Sequence, residues 1–151
     1  MKRKGFTLIE LLVVIAIIGL LSTLAVTALG GARKKARDAR RLSDIKQIQT
    51  ALEMYASDSG TYPITAGGIT YTDIGVTGGS LVCLSSGGFG ATGCANAYMA
   101  KIPAGPNTSE YYKYSAAAAS TTYNIRYTLE QAVGDITEGM HYANPGGVAN
   151  P

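Results

Sequence analysis

The sequence predicts an α+β chain in which one long N-terminal helix packs on a small antiparallel β-sheet head. Three patterns carry this. Residues 6–29 form a nearly unbroken apolar run, residues from Ala32 to Ser59 place apolar side chains on one helical stripe, and Thr122 to Glu130 alternate apolar with polar. At 151 residues the chain holds one domain, with no length for a second core once the apolar helix is set aside. With 19 Gly, 10 Tyr, no Trp and only 15% charged residues, the rest reads as a loop-rich, partly β head that sits in an assembly or on a surface.

The run from Phe6 to Leu29, FTLIELLVVIAIIGLLSTLAVTAL, contains one ionisable residue, Glu10. As a helix it reaches about 36 Å at 1.5 Å per residue, enough to cross a hydrocarbon core of roughly 30 Å. A secretory signal would be shorter and end at a small-residue cleavage site, whereas this run continues into a helical pattern, so we expect it to be retained. Counting Lys and Arg on either side puts the C-terminus inside, against the outward head that a disulfide argues for. A carboxylate about one turn into an apolar helix costs roughly 2–4 kcal/mol in hydrocarbon unless neutralised or paired, which makes Glu10 a functional candidate in want of a positive partner. The alternative is that it reaches headgroups and water.

In the second half of the helix Leu42, Ile45, Ile48, Leu52 and Tyr55 recur at steps of three or four, a stripe suited to covering a sheet. Gly60 and then Pro63 end it. Ahead of the stripe lies a basic collar, Arg33, Lys34, Lys35, Arg37, Arg40 and Arg41, opposed only by Asp38, whereas residues 42–151 carry four basic and eight acidic groups. We expect the collar to meet acidic heads or lipid headgroups. A solvated helix face and a grip on DNA are the other two readings. The formal charge of +3 comes from Lys2, Arg3 and Lys4 alone, so the overall pI is no argument for nucleic-acid binding.

After Gly60 a Gly/Thr/Ser-rich region extends to about Ala97, with apolar pieces at Ile69–Ile74 and Leu81–Leu84 but no firm strands. Thr122–Glu130 is the clearest strand, with Tyr123, Ile125, Tyr127 and Leu129 facing the helix stripe. Tyr111–Ser115 is its expected partner, joined by Ala116–Thr121, and Met140–Ala143 adds a third strand. We expect the tyrosines to be half-buried sheet packing with hydroxyls at the surface, ahead of a carbohydrate-binding or electron-conducting row. Asn144–Pro151 reads as an exposed end. Cys83 and Cys94, eleven positions apart, read as a disulfide contributing on the order of 3 kcal/mol, with two reduced thiols as the alternative. No catalytic residues are expected: there is no Ser/His/Asp set, no paired carboxylates and no phosphate cradle, Gly87–Gly90 is a flexible loop, and His141 is a surface or sheet residue, with no metal expected.

The string Lys4-Gly5-Phe6-Thr7-Leu8-Ile9-Glu10, continued by Leu11-Leu12-Val13-Val14-Ile15-Ala16-Ile17-Ile18-Gly19, closely resembles the class III signal and N-terminal helix of type IV pilins and type II secretion pseudopilins. That resemblance implies a pilin-like fold divided into a leader (1–5), a transmembrane and filament-core helix (6–29), the amphipathic half of the long helix (30–59) and the head (60–151). It implies cleavage by a prepilin peptidase between Gly5 and Phe6, N-methylation of Phe6, and an assembly salt bridge between Glu10 and the Phe6 amine of a neighbouring subunit. Ala51-Leu52-Glu53-Met54-Tyr55 and Gly60-Thr61-Tyr62-Pro63 also look like the corresponding region of pseudopilins. The run lacks the helix-bending Pro of many pilins, which makes Gly30-Gly31 the expected bend or melting point. Asp135 and Glu138 suggest a calcium loop like that of major pseudopilins, without the full run of oxygen ligands, and no other cofactor is expected.

The leading expectation is a non-enzymatic subunit of a type IV pilus-like filament, made as an inner-membrane precursor and assembled outside the cytoplasm or on the cell surface. The alternatives are the major pseudopilin of a type II secretion system and a membrane-anchored binding protein that never polymerises. The expected partners are further copies of the chain in a helical filament, the prepilin peptidase, an inner-membrane assembly platform and membrane lipid, with DNA a lesser candidate.

Overall fold

A computed structural model describes residues 5–65, 70–92, 94–107, 110–117 and 121–149. Lys2, Arg3 and Lys4, the start of the Ile69–Ile74 piece, part of the Ala116–Thr121 connection and the last two residues of the tail lie outside the described residues. The chain is α+β: one long helix packs against antiparallel sheets. Helix α1, Leu8–Ser59, is followed by β1 (Thr72–Ile74), β2 (Cys83–Ser85), β3 (Gly88–Gly90), β4 (Ala97–Met99), β5 (Tyr112–Ser115), β6 (Asn124–Leu129), β7 (Gly139–Asn144) and β8 (Gly147–Ala149). The main sheet runs in the order β1-β5-β6-β7-β8 and the smaller one β3-β2-β4, with antiparallel neighbours throughout.

Helix α1 stops where its chemistry stops. Gly60 takes φ +76°, and its N–H donates to the Ala56 carbonyl at 2.8 Å, a left-handed cap that a side chain would strain. The helix runs on through Gly30 and Gly31, where the sequence suggested a bend. Two glycines cost about 1 kcal/mol each relative to Ala, but they remove no backbone hydrogen bond, so an isolated helix can stay continuous there.

Ile45, Ile48, Ala51 and Leu52 are buried against Ile74, Leu84, Tyr112, Tyr114, Tyr123, Ile125, Tyr127 and Leu129, so the helix stripe and the inward face of β6 form one core. The alternation of β6 holds: Asn124 and Thr128 are exposed while Ile125, Tyr127 and Leu129 are buried. Tyr55, Tyr71, Tyr98, Tyr111 and Tyr142 are half-buried, as expected, but others are not. Tyr112, Tyr114, Tyr123 and Tyr127 point inward, hydroxyls included. Tyr112 Oη donates to Asp44 Oδ2 at 2.9 Å and Tyr114 Oη to the Pro63 carbonyl at 2.7 Å, while the Tyr127 hydroxyl is buried with no hydrogen-bond partner among the described residues. Burial pushes all four phenols up, Tyr127 to about 12. A chain with no Trp and only two Phe, of which Phe6 is exposed, fills its core with tyrosine rings, and the edge-to-face pair Tyr62–Tyr123 at 4.6 Å shows how they interlock.

Two further regions differ from the sequence reading. The Gly/Thr/Ser-rich stretch contains β1 to β4, strands of three residues whose alternation is too short to register as a pattern. Cys83 and Cys94 are joined there, tying β2 to the segment leading into β4. The pair packs closely on Gly90, where a Cβ would lie 3.1 Å from Cys94 Sγ and force it to shift. The tail is exposed at Pro145, Gly146 and Val148, as expected, but it also folds back: β7 continues to Asn144 and pairs with β8 as the edge of the sheet. His141 lies in β7, fully buried, with Nε2 2.8 Å from the Thr137 carbonyl, a sheet residue and not a surface one.

Candidate assembly interface

Two sets of side chains on α1 carry the unusual chemistry, one at the start of the helix and one where it meets the head.

At the start, Thr7 is the N-cap. Glu10 Oε2 accepts from the Thr7 N–H at 2.8 Å and from Thr7 Oγ1 at 2.6 Å, and the Glu10 N–H points back at Thr7 Oγ1 at 3.3 Å. This is a capping box, and the Thr-x-x-Glu spacing is its signal in the sequence. Both side-chain contacts fall on Oε2, and Oε1 has no hydrogen bond among the described residues. Phe6, Ile9, Val13 and Val14 surround Glu10 in a shallow, open apolar groove. Every residue of the apolar run is exposed, Phe6 at 78% and Leu8 at 81%. Its mean hydropathy of 2.7 over an 18-residue window makes it long and apolar enough to cross a membrane. A bare helix of this kind is stable only in lipid or against other apolar helices.

At the head end, the first buried helix residue is Asp38, 0% exposed. Its carboxylate accepts the backbone N–H groups of Glu130, at 3.0 and 3.1 Å, and of Gln131, at 2.9 Å, capping the end of β6. Arg41, 2% exposed, donates to Asp38, to Glu110 at 2.6 and 2.7 Å, and to Glu130 at 2.8 Å. Arg37 completes the cluster with a two-point grip on Glu130. Those guanidinium contacts hold the Glu130 carboxyl down at about 2, and Arg41 is raised by the same carboxylates.

The collar residues therefore divide. Arg37 and Arg41 are bound by acids of their own head, and Arg40 lies 3.8 Å from Asp44 with its side chain 63% exposed. Arg33, Lys34 and Lys35 are exposed. The internal cluster went unseen in the sequence because it required pairing positions 69 to 93 residues apart. A partial signal was there: Asp38 and Arg41 stand seven and four residues before Ile45, on the same helical face as the apolar stripe. Asp135 and Glu138 are both exposed on the β6–β7 connection, and among the described residues no three His, Cys, Asp or Glu side chains gather into a metal-binding group.

Comparison with known proteins bears on the first of these two sets. The prokaryotic N-terminal methylation motif matches residues 1–26, a span that includes Gly5, Phe6 and Glu10. Type II secretion system core protein G of Escherichia coli (strain K12) is 46% identical over 68 residues, 45% of this chain and 47% of that protein. The core protein G of Pectobacterium carotovorum subsp. carotovorum is 43% identical over 68 residues, 45% of this chain and 44% of that protein, and that of Aeromonas hydrophila is 43% identical over 68 residues, 45% and 48%. The chain thus spans about half the length of the curated relatives it matches. No solved structure matches it. By that motif and that homology, the chain carries the prepilin-type N-terminal segment of the pilin and pseudopilin family and is a relative of type II secretion system core protein G.

Proposed function

We propose that this chain is the subunit of a pseudopilin filament of the type II secretion kind, made as a membrane-anchored precursor and packed into a periplasmic filament. The relatives' names favour the secretion reading over the type IV pilus that led from sequence alone. The observation that carries it is the bare apolar run with one carboxylate near its end, continuous with the helix that the head is built on.

Cleavage between Gly5 and Phe6 creates an ammonium group four residues from Glu10. The carboxylate's Oε2 is held by Thr7, which fixes the side chain, while Oε1 remains for a second donor. An incoming Phe6 amine from a neighbouring copy supplies that donor, so two charges costly in an apolar setting cancel as the helices pack. Such a pair sets register more than it adds stability, because desolvation offsets its Coulomb gain. N-methylation at Phe6 keeps the positive charge. In this scheme the chain is a building block and a substrate of its processing peptidase, and the head covers the outside.

Intact mass and N-terminal sequencing of material sheared from cells test the proposal. A mature chain that begins at methylated Phe6 is the expected result; an uncut chain beginning at Met1 and confined to the membrane overturns it.

A further inference from the structure

The acids of this chain are almost all occupied. Glu10 is held by Thr7, Asp38, Glu110 and Glu130 by the Arg37 and Arg41 cluster, Asp44 and Glu53 by tyrosine hydroxyls, Asp58 by Tyr98 and Asp73 by Lys113. Among the described residues, only Asp135 and Glu138 have neither a hydrogen bond nor an ion pair. Both are exposed on the β6–β7 connection, a loop that turns back through the Val133–Ile136 bridge with Gly134 at φ +60°.

That loop lies at the end of the head from which the apolar helix emerges. Its first amides, those of Glu130 and Gln131, are bonded to Asp38, and Asp38 is where helix burial begins. Arg33, Lys34 and Lys35 are exposed three to five residues earlier on the helix, about 5–8 Å along its axis, and they too have no ion pair among the described residues. Unpaired acids and unpaired bases thus lie near the same end of the head, with no ion pair between them among the described residues.

We propose that they are the two halves of one contact between copies of this chain: Asp135 and Glu138 of one copy against Arg33, Lys34 and Lys35 of the next. This rests on the filament reading and adds a second contact to it. A lipid headgroup would satisfy the bases, but an anionic surface would repel the acids beside them; another copy satisfies both. The bases also continue directly from the apolar run that neighbouring copies must cover, so the charged contact and the apolar one form a continuous surface. Exposed pairs contribute little each, so the contact fixes register and excludes wrong offsets more than it binds.

The test is a charge exchange in the full chain, read as sheared filament. Asp135→Lys with Glu138→Lys is expected to lower the yield about tenfold, as is Lys34→Glu with Lys35→Glu, and the four changes together to recover most of it. In a second measurement, Lys34→Cys and Glu138→Cys on the otherwise unaltered chain are expected to give disulfide-linked dimers within filaments. Loss with the basic set but none with the acidic set assigns the bases to lipid and overturns the contact, as does filament at the unaltered yield without cross-linked dimers. If the unaltered chain forms no filament at all, the filament reading fails and takes this contact with it; if it forms and the exchange has no effect, only the contact falls.

Discussion

The two halves of α1 meet the same difficulty, a charge on a helix face that must leave water, and resolve it differently. At the head end Arg41 is buried and saturated by three carboxylates of its own chain. At the start, Glu10 has only a neighbouring threonine, and the apolar surface around it is bare. A charge compensated within the chain belongs to folding. One left half-compensated beside exposed hydrocarbon is, on the proposed reading, kept for assembly, and the two should respond to different experiments.

The largest expected effect is on Glu10. Glu10→Gln keeps an oxygen for the Thr7 capping box, since Gln serves at that position as Glu does, but it removes the charge. Filament in the sheared fraction should fall below detection, while thermal unfolding of the head in detergent stays where it was. If the residue mattered only as a cap, Glu10→Gln would assemble normally and Glu10→Ala would not, and the contrast between the two halves would collapse.

Arg41 should behave in the opposite manner. Arg41→Met leaves Asp38 buried with only two backbone amides for partners, and removing one member of a buried ionic cluster costs about 3–5 kcal/mol. Denaturant unfolding of the full chain should show that loss. Arg37→Met, whose ion pair with Glu130 is 32% and 26% exposed at its two side chains, should cost much less, because solvent screens that pair. Equal losses for the two would mean that burial does not decide the strength of this cluster.

How far the sequence could be read follows the same division. The apolar half was legible because its signal is local: twenty-four residues, one charge, and a motif that reads forward along the chain. The stripe from Leu42 to Tyr55 and the alternation of β6 were legible for the same reason, since periodicity lies within each segment. The ionic cluster was not, because Asp38 and Arg41 mean little until Glu110 and Glu130 are brought beside them by the sheet. Strands β1 to β4 were hidden by their length, and the inward tyrosine hydroxyls by the fact that Asp44 and the Pro63 carbonyl, their partners, lie far away in sequence.

The smallest effect sharpens the comparison through pH. Glu130 has its carboxyl lowered from an ordinary 4.5 to about 2, first by the hydrogen bond from Arg37 and then by that from Arg41. A carboxyl lowered on folding stabilises the folded chain fully above its unfolded value, and the contribution is lost as pH falls from 4.5 toward 2. Asp44 works the other way, because burial raises it, so its charge opposes folding once pH climbs past its ordinary 3.8. Thermal midpoints measured from pH 6 down to pH 2 should therefore drop across the lower part of that window. Glu130→Gln should start lower at pH 6 and fall less steeply. A slope unchanged by Glu130→Gln would place the acid sensitivity of the head elsewhere, and would leave the Arg37–Arg41 cluster without the linkage between charge and folding that separates it from Glu10.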